Sequence, residues 1–308
     1  MDTHIPQSQV RPVRKSEVPR VIELLRSGFE NLGRRAPSDL LPLFDYRWTT
    51  EPEKPNLGFA LWSGDEIVGF LGAVYAERLL EGRVVKTCNL STWYVRQDFR
   101  GAALKLLVAV IAQKEYSITN LTASPEVRKI MEAFRFRTID QCKWVYLPWH
   151  CLPEMLRPTA TVLCDPDKIA RVVQGDDRQF LRDHLPYRVK HYLLRSGDHY
   201  SYLILKRRSF PGKVAFNKIP IKKLSLLWYP CMEVLYLGNP QLAVREWGRL
   251  VATILRRERV LAIVAAERFL GDDPPPGARL DHRNYLLARV PLKATIDSLY
   301  SELAVLPF

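Results

Sequence analysis

The chain reads as α/β (α+β), with two domains, each a mixed, mostly antiparallel sheet flanked by helices. Short runs rich in β-branched and aromatic residues alternate with longer stretches of helical periodicity along most of its length. The order hairpin, strand, helix, strand occurs once between Gly58 and Phe136 and again between Tyr187 and Ala265. A stretch of mixed composition, punctuated by Pro148, Pro153, Pro158 and Pro166, lies between the two and reads as a linker. At 308 residues, 47% hydrophobic and 26% charged, the chain can support two cores. The domains expected are 1–150 and 166–308, joined by 151–165.

Taken in order, Val10 to Val13 is a short strand after a polar tail, and Ser16 is placed to cap the helix that follows. Pro19 suits its first turn, and Val18, Val21, Ile22, Leu24, Leu25 and Phe29 share one face. Ala36 to Asn56 is rich in proline, acids and aromatics (Phe44, Tyr46, Trp48) and reads as an irregular segment packing its rings on the core. Gly58–Trp62, a turn at Ser63-Gly64-Asp65-Glu66 and Ile67–Ala76 make a hairpin whose second strand continues to Leu80. Glu81-Gly82 then turns into an apolar strand ending at Val95. Arg96-Gln-Asp-Phe-Arg-Gly101 follows, and a helical run from Ala102 to Ala112. Strand, tight turn and helix N-terminus gather backbone N–H groups and a positive dipole end at one point, which suits a phosphate.

Tyr116–Thr122 continues as a strand, Ser124–Phe134 as a helix, and Arg137–Leu147 as closing strands. In the second half Asp176–Leu185 is helical, and Tyr187–Arg195 with His199–Lys206 forms a hairpin about Ser196-Gly197-Asp198. Met232–Leu237 is a strand, Asn239-Pro240 opens a helix to Arg257, and Val260–Ala265 is an apolar strand. A tail helix is expected from about Thr295 to Leu303, after the Pro-rich turn 272–277.

The segment after Val95 resembles the acyl-CoA loop of the GNAT superfamily of N-acyltransferases: a strand valine, four residues, then Arg or Gln-x-x-Gly-x-Gly/Ala opening a helix. Arg100 fits that pattern, Ala103 stands at its first glycine and Lys105 at its second small residue. Downstream, Ser124 stands at the family's asparagine, Met131 at the tyrosine that often protonates the leaving thiolate, Glu132 matches, and Arg135-Phe136 takes the Gly-Phe position. The resemblance covers residues 10 to 147. The second half repeats the order without the loop, so a tandem, two-GNAT chain with a degenerate second copy is expected.

What the resemblance implies is an acyltransferase that moves an acyl group from acyl-CoA, acetyl or longer, to a small-molecule or protein amine by direct attack. The N–H of Trp93 would polarise the thioester and that of Val95 would hold the pantetheine arm. Those of Gly101, Ala102, Ala103 and Lys105 would take the pyrophosphate, with Arg100 and Ser124 in the same site. Candidate proton acceptors on the inner strands are Glu77, Tyr75, Cys88 and Ser91, Glu77 being the carboxylate among them.

Five cysteines without CxxC spacing and six scattered histidines point to free thiols, no metal and a reducing, cytoplasmic location. No apolar run is long enough for a membrane span. Net charge is +13, carried as 22 basic against 18 acidic side chains in 1–160 and 24 against 15 in 161–308. Lys206, Arg207, Arg208, Lys213, Lys218, Lys222 and Lys223 occur between His199 and Met232 with no acid. This is either a solvated face or a docking surface for something anionic, an acyl carrier protein, nucleic acid or acidic lipid headgroups, of which nucleic acid is disfavoured by the lack of an aromatic-basic or Cys/His module. The alternative function is therefore a non-catalytic tandem fold binding an anionic partner.

Overall fold

The computed structural model describes residues 7–49, 54–80, 83–151, 161–211, 228–288 and 296–307. The described parts of Met1–Arg137, Tyr285–Ala294 and Tyr300–Pro307 form one compact unit, and those of Thr138–Asn284 and Thr295–Leu299 form a second. The division falls earlier than residue 150, and part of the C-terminal chain belongs with the first unit.

In unit 1, β1 (Gln9–Pro12), β2 (Phe59–Ser63), β3 (Glu66–Leu80) and β4 (Arg83–Val95) lie side by side as antiparallel neighbours. β5 (Ser117–Asn120) then joins β4 in parallel. Helices α1 (Val18–Gly28), α2 (Glu30–Gly33), α3 (Ala103–Ile111) and α4 (Pro125–Ala133) connect them. Five apolar residues of α1 are buried, from Val18 to Leu25, each worth about 2 kcal/mol by area removed from water. Ser16 does not cap this helix. A 3-10 turn over Lys15–Glu17 precedes it, and Glu17, at the start of α1, accepts the Arg14 N–H at 2.7 Å within that turn rather than an N–H of the helix. The core joins Leu61, Leu71, Ala73, Cys88 and Leu90 of the sheet to Leu106, Leu107 and Val110 of α3 and Met131 of α4.

The closing strands differ from the sequence expectation. Arg137–Tyr146 is a single strand, β6, and it pairs in the second unit, antiparallel to β11 (Ala262–Ala266). Unit 1 is closed instead by Tyr285–Leu287, the end of β12 (Ala278–Leu287), antiparallel to β5. Charged residues occupy alternate positions in the first part of β12 (Arg279, Asp281, Arg283), which hides its strand character from a hydrophobic reading.

Unit 2 orders its strands β6-β11-β10-β9-β8-β7, with β7 (Thr161–Leu163) at one edge and Ala278–Asn284 of β12 beside β6. The hairpin is β8 (Val189–Ser196) and β9 (His199–Pro211), turning at Gly197 (φ +59°), and β10 (Trp228–Leu237) runs parallel to β11. α5 (Pro166–Ala170) and α6 (Gly175–His184) come before the hairpin. The long helix is broken at Glu246 into α7 (Pro240–Arg245) and α8 (Trp247–Glu258), and Leu250, Val251 and Ile254 of α8 pack on Met232, Val234 and Ile263. Asn239 sits in the left-handed region (φ +47°) and its side chain accepts the Leu242 N–H, so the proline-led start is a cap.

The expected tail helix shrinks to α9 (Glu302–Val305) in the first unit, and Thr295 lies outside the described residues. So do the Glu81-Gly82 turn and most of the linker. Among the described residues no helix is long and apolar enough to cross a membrane.

Candidate functional site

β4 and β5 pair only from Thr87–Ser117 to Asn89–Thr119, and the rest of β4, Leu90 to Val95, parts from β5. On its other side β4 carries a bulge: Phe70 faces Tyr94 and Gly72 faces Ser91, leaving Thr92 and Trp93 opposite Leu71 alone. Thr92 takes a positive φ of 44°, a costly position for a β-branched residue. Gly72 makes the bulge possible, because a Cβ there would lie 2.5 Å from Ser91 Oγ. Past the bulge Arg96 N–H donates to Val68 C=O at 2.9 Å. Strand N–H groups alternate in direction, so that of Val95 turns to the opposite edge, toward β5.

The turn after Val95 departs from the expected phosphate cradle. Gln97–Ala102 is a 3-10 helix, and the Ala103 N–H donates to Arg100 C=O. The Ala103 donor is therefore engaged within the turn. Without a glycine at 103 the loop tightens onto itself. Arg100, Gly101 and Lys105 are exposed; the Lys105 ammonium lies 3.3 Å from the Ser8 carbonyl oxygen. Ser124 caps α4, accepting from Val127 N–H and donating to Glu126 at 2.7 Å.

Of the proton-acceptor candidates, Glu77 stands about half exposed, its Oε1 3.5 Å from Lys86 Nζ across the strand pair. Burial pushes the Cys88 thiol and the Tyr75 phenol well above their ordinary ranges, and the Tyr75 hydroxyl hydrogen-bonds Asn56 and Gln113. Neither is a base at neutral pH. Ser91 is buried, 3.4 Å from Thr92 Oγ1.

The carboxylate at the opening is Glu302, which nothing near it in sequence marks. It is buried; one oxygen accepts from Asn89 Nδ2 and the other from Thr122 Oγ1 at 2.6 Å. Asn89 is the last residue of β4 paired with β5, and its side-chain oxygen Oδ1 accepts from Thr119 Oγ1 at 3.0 Å. Met131 is fully buried in the core; the phenol beside α4 is that of Tyr285, which donates to Glu132 at 3.1 Å.

Of the seven basic residues in the run 199–232, three are described. Lys206 is buried, Arg208 lies 3.4 Å from Glu233, and Arg207 donates to Glu258 C=O. Lys213, Lys218, Lys222 and Lys223 fall outside the described residues. All five cysteines are free, and among the described residues no three His, Cys, Asp or Glu side chains form a metal-sized group.

Solved structures share this architecture. A GCN5-related N-acetyltransferase from Anabaena variabilis superposes with a TM-score of 0.56 at 10% identity, over 91% of this chain and 72% of its own. A probable N-acyltransferase from Enterococcus faecalis gives 0.56 at 12% over the same shares, and a GCN5-related N-acetyltransferase from Kribbella flavida gives 0.53 at 11% over 93% and 72%. The chain has the GCN5-related N-acetyltransferase fold. No family model and no curated protein matches its sequence.

Proposed function

We propose that this protein transfers an acyl group from an acyl-CoA to an amine, with the thioester lying in the opening between β4 and β5. The observation that carries this is the bulge at Thr92–Trp93 together with the early end of β4–β5 pairing, a place where the Trp93 and Val95 N–H groups would face the gap. The Trp93 N–H polarises the thioester carbonyl as negative charge develops on its oxygen, and the Val95 N–H holds an amide of the pantetheine arm. The amine attacks directly, the C–N bond forms, the C–S bond breaks, and CoA leaves as its thiolate. Attack needs a neutral amine. We assign the amine proton to Glu302 rather than the exposed, ion-paired Glu77, because Glu302 is buried at the opening and its two oxygens are oriented by Asn89 and Thr122.

Arg100 and Lys105 supply the positive charge for the pyrophosphate, whose backbone donors become available when the 3-10 turn opens around it. Isothermal titration with acetyl-CoA, a long-chain acyl-CoA and free CoA tests the reading. Binding is expected for at least one thioester and for CoA, and the Arg100→Ala, Lys105→Glu double variant is expected to weaken it at least tenfold. Lack of binding by all three ligands overturns the donor assignment.

A further inference from the structure

Unit 1 carries a cavity of about 570 Å³ whose lining includes none of the residues assigned above to acyl transfer. It lies where α1 begins and against the aromatic segment that precedes β2. Its walls are apolar: Val18 and Pro19 from α1, with Leu41, Phe44, Tyr46 and Leu57 from the segment. Leu41 at its edge leaves 47% of its surface exposed, a large aliphatic side chain with its apolar face uncovered. Among the described residues its charged lining is Lys15, Arg47 and Lys54 against Asp45, three cations to one carboxylate.

The walls are held in place. Tyr46 Oη accepts the Tyr75 N–H at 2.9 Å, and Trp48 Nε1 donates to Tyr75 C=O at 3.0 Å, so the segment is fastened to the edge of β3 where β2 has ended. The Lys54 ammonium donates to Tyr46 C=O at 3.0 Å and sits 3.9 Å from the centre of the Tyr46 ring. The volume falls in the range of small-molecule sites, and a pocket with apolar walls and a positive rim selects a ligand of the complementary kind.

We propose that this cavity binds a small amphiphile with an aliphatic body and an anionic head, a carboxylate or a phosphate ester, the body lying along Val18, Leu41, Phe44 and Leu57 and the head meeting Lys15 and Arg47. The inference stands on the cavity alone and is independent of the acyl-transfer reading.

Titration of the full chain with decanoate, decanol and decylammonium, below their aggregation concentrations and with free CoA at saturation, provides the test. Decanoate is expected to bind at least tenfold more tightly than decylammonium, with decanol between them. The double variant Lys15→Glu, Arg47→Glu is expected to reverse that order. Both side chains are exposed, so the fold should survive; if the double variant does not fold, Lys15→Gln and Arg47→Gln singly are each expected to weaken decanoate about threefold with decanol unchanged. Equal affinity for the three chains, indifference of decanoate to every one of these substitutions, or its displacement by CoA would each overturn the proposal. Because the readout needs no thioester, a failure of acyl-CoA binding leaves this result intact, and the reverse holds too.

Discussion

In unit 1 the parallel strands β4 and β5 part after Asn89 and Thr119, and in unit 2 the parallel strands β10 and β11 part after Glu233 and Val264; each first strand then carries a bulge. The contents of the two openings differ. In unit 2 the residue at the bulge, Leu235, receives a backbone hydrogen bond from Ser298 N–H at 2.8 Å, and Ile296 and Leu299 are buried in the same unit. Arg268 holds that segment: it pairs with buried Asp140, donates to Ile296 C=O at 2.7 Å and to Ser298 Oγ at 2.6 Å, while Asn284 adds a hydrogen bond to Asp140. In unit 1 the C-terminal chain contributes a side chain, Glu302. One arrangement fills the gap with backbone and knits it shut; the other brings a carboxylate to its edge and, on our reading, leaves the Trp93 and Val95 N–H groups to face a ligand there. The same topology therefore serves closure in one unit and, on our reading, catalysis in the other.

The largest effect that would sharpen this contrast is on turnover. Glu302→Gln keeps shape and one hydrogen-bond acceptor but cannot take a proton; kcat is expected to fall about 10²- to 10⁴-fold with little change in acyl-CoA affinity. The pH–rate profile is expected to lose its acidic limb. Unchanged kcat, or loss of acyl-CoA binding along with it, would make Glu302 a structural residue and remove the catalytic half of the comparison.

Next comes the closed opening. Asp140→Ala strands the Arg268 guanidinium, itself 7% exposed, beside the segment it anchors. Breaking a buried pair from one side costs about 3–5 kcal/mol, visible as a lower urea midpoint. Acyl-CoA affinity of the folded protein is expected to stay at the wild-type value, since the donor opening belongs to unit 1. A variant that lost donor affinity while keeping its stability would contradict the division of roles.

Local order shows how far sequence could carry these readings. The hairpins, the strand into Val95, the helix after it and the capped start at Asn239 are written in neighbouring residues, where periodicity and turn chemistry act. The 3-10 turn at Gln97–Ala102 was hidden because the family spacing is present while the glycine that keeps such a loop open is not. Glu302 could not be found that way: its partners Asn89 and Thr122 are 213 and 180 positions distant, and no local pattern distinguishes this glutamate from a surface one. The same holds for β12, whose Tyr285 meets Asn120 across most of the chain. Nor does sequence show that Glu77 would face solvent beside Lys86, since only the register of β3 on β4 sets that pairing.

The smallest expected effect concerns the bulges themselves. Thr92 pays for its positive φ, about 1–3 kcal/mol for a non-glycine residue, while Leu235 is not among the residues with positive φ. Glycine at 92 removes that strain and adds about 0.5–1 kcal/mol of chain entropy cost in a strand, so Thr92→Gly is expected to raise stability by about 1 kcal/mol. Leu235→Gly has no strain to relieve and gives up a fully buried side chain, so it is expected only to destabilise. Opposite signs in chemical denaturation would show that the unit 1 bulge is held under tension and the unit 2 bulge is not. If Thr92→Gly also weakens acyl-CoA binding, the strained residue is positioning the Trp93 N–H, and the tension has a use; if affinity is unchanged, the bulge keeps its geometry without it.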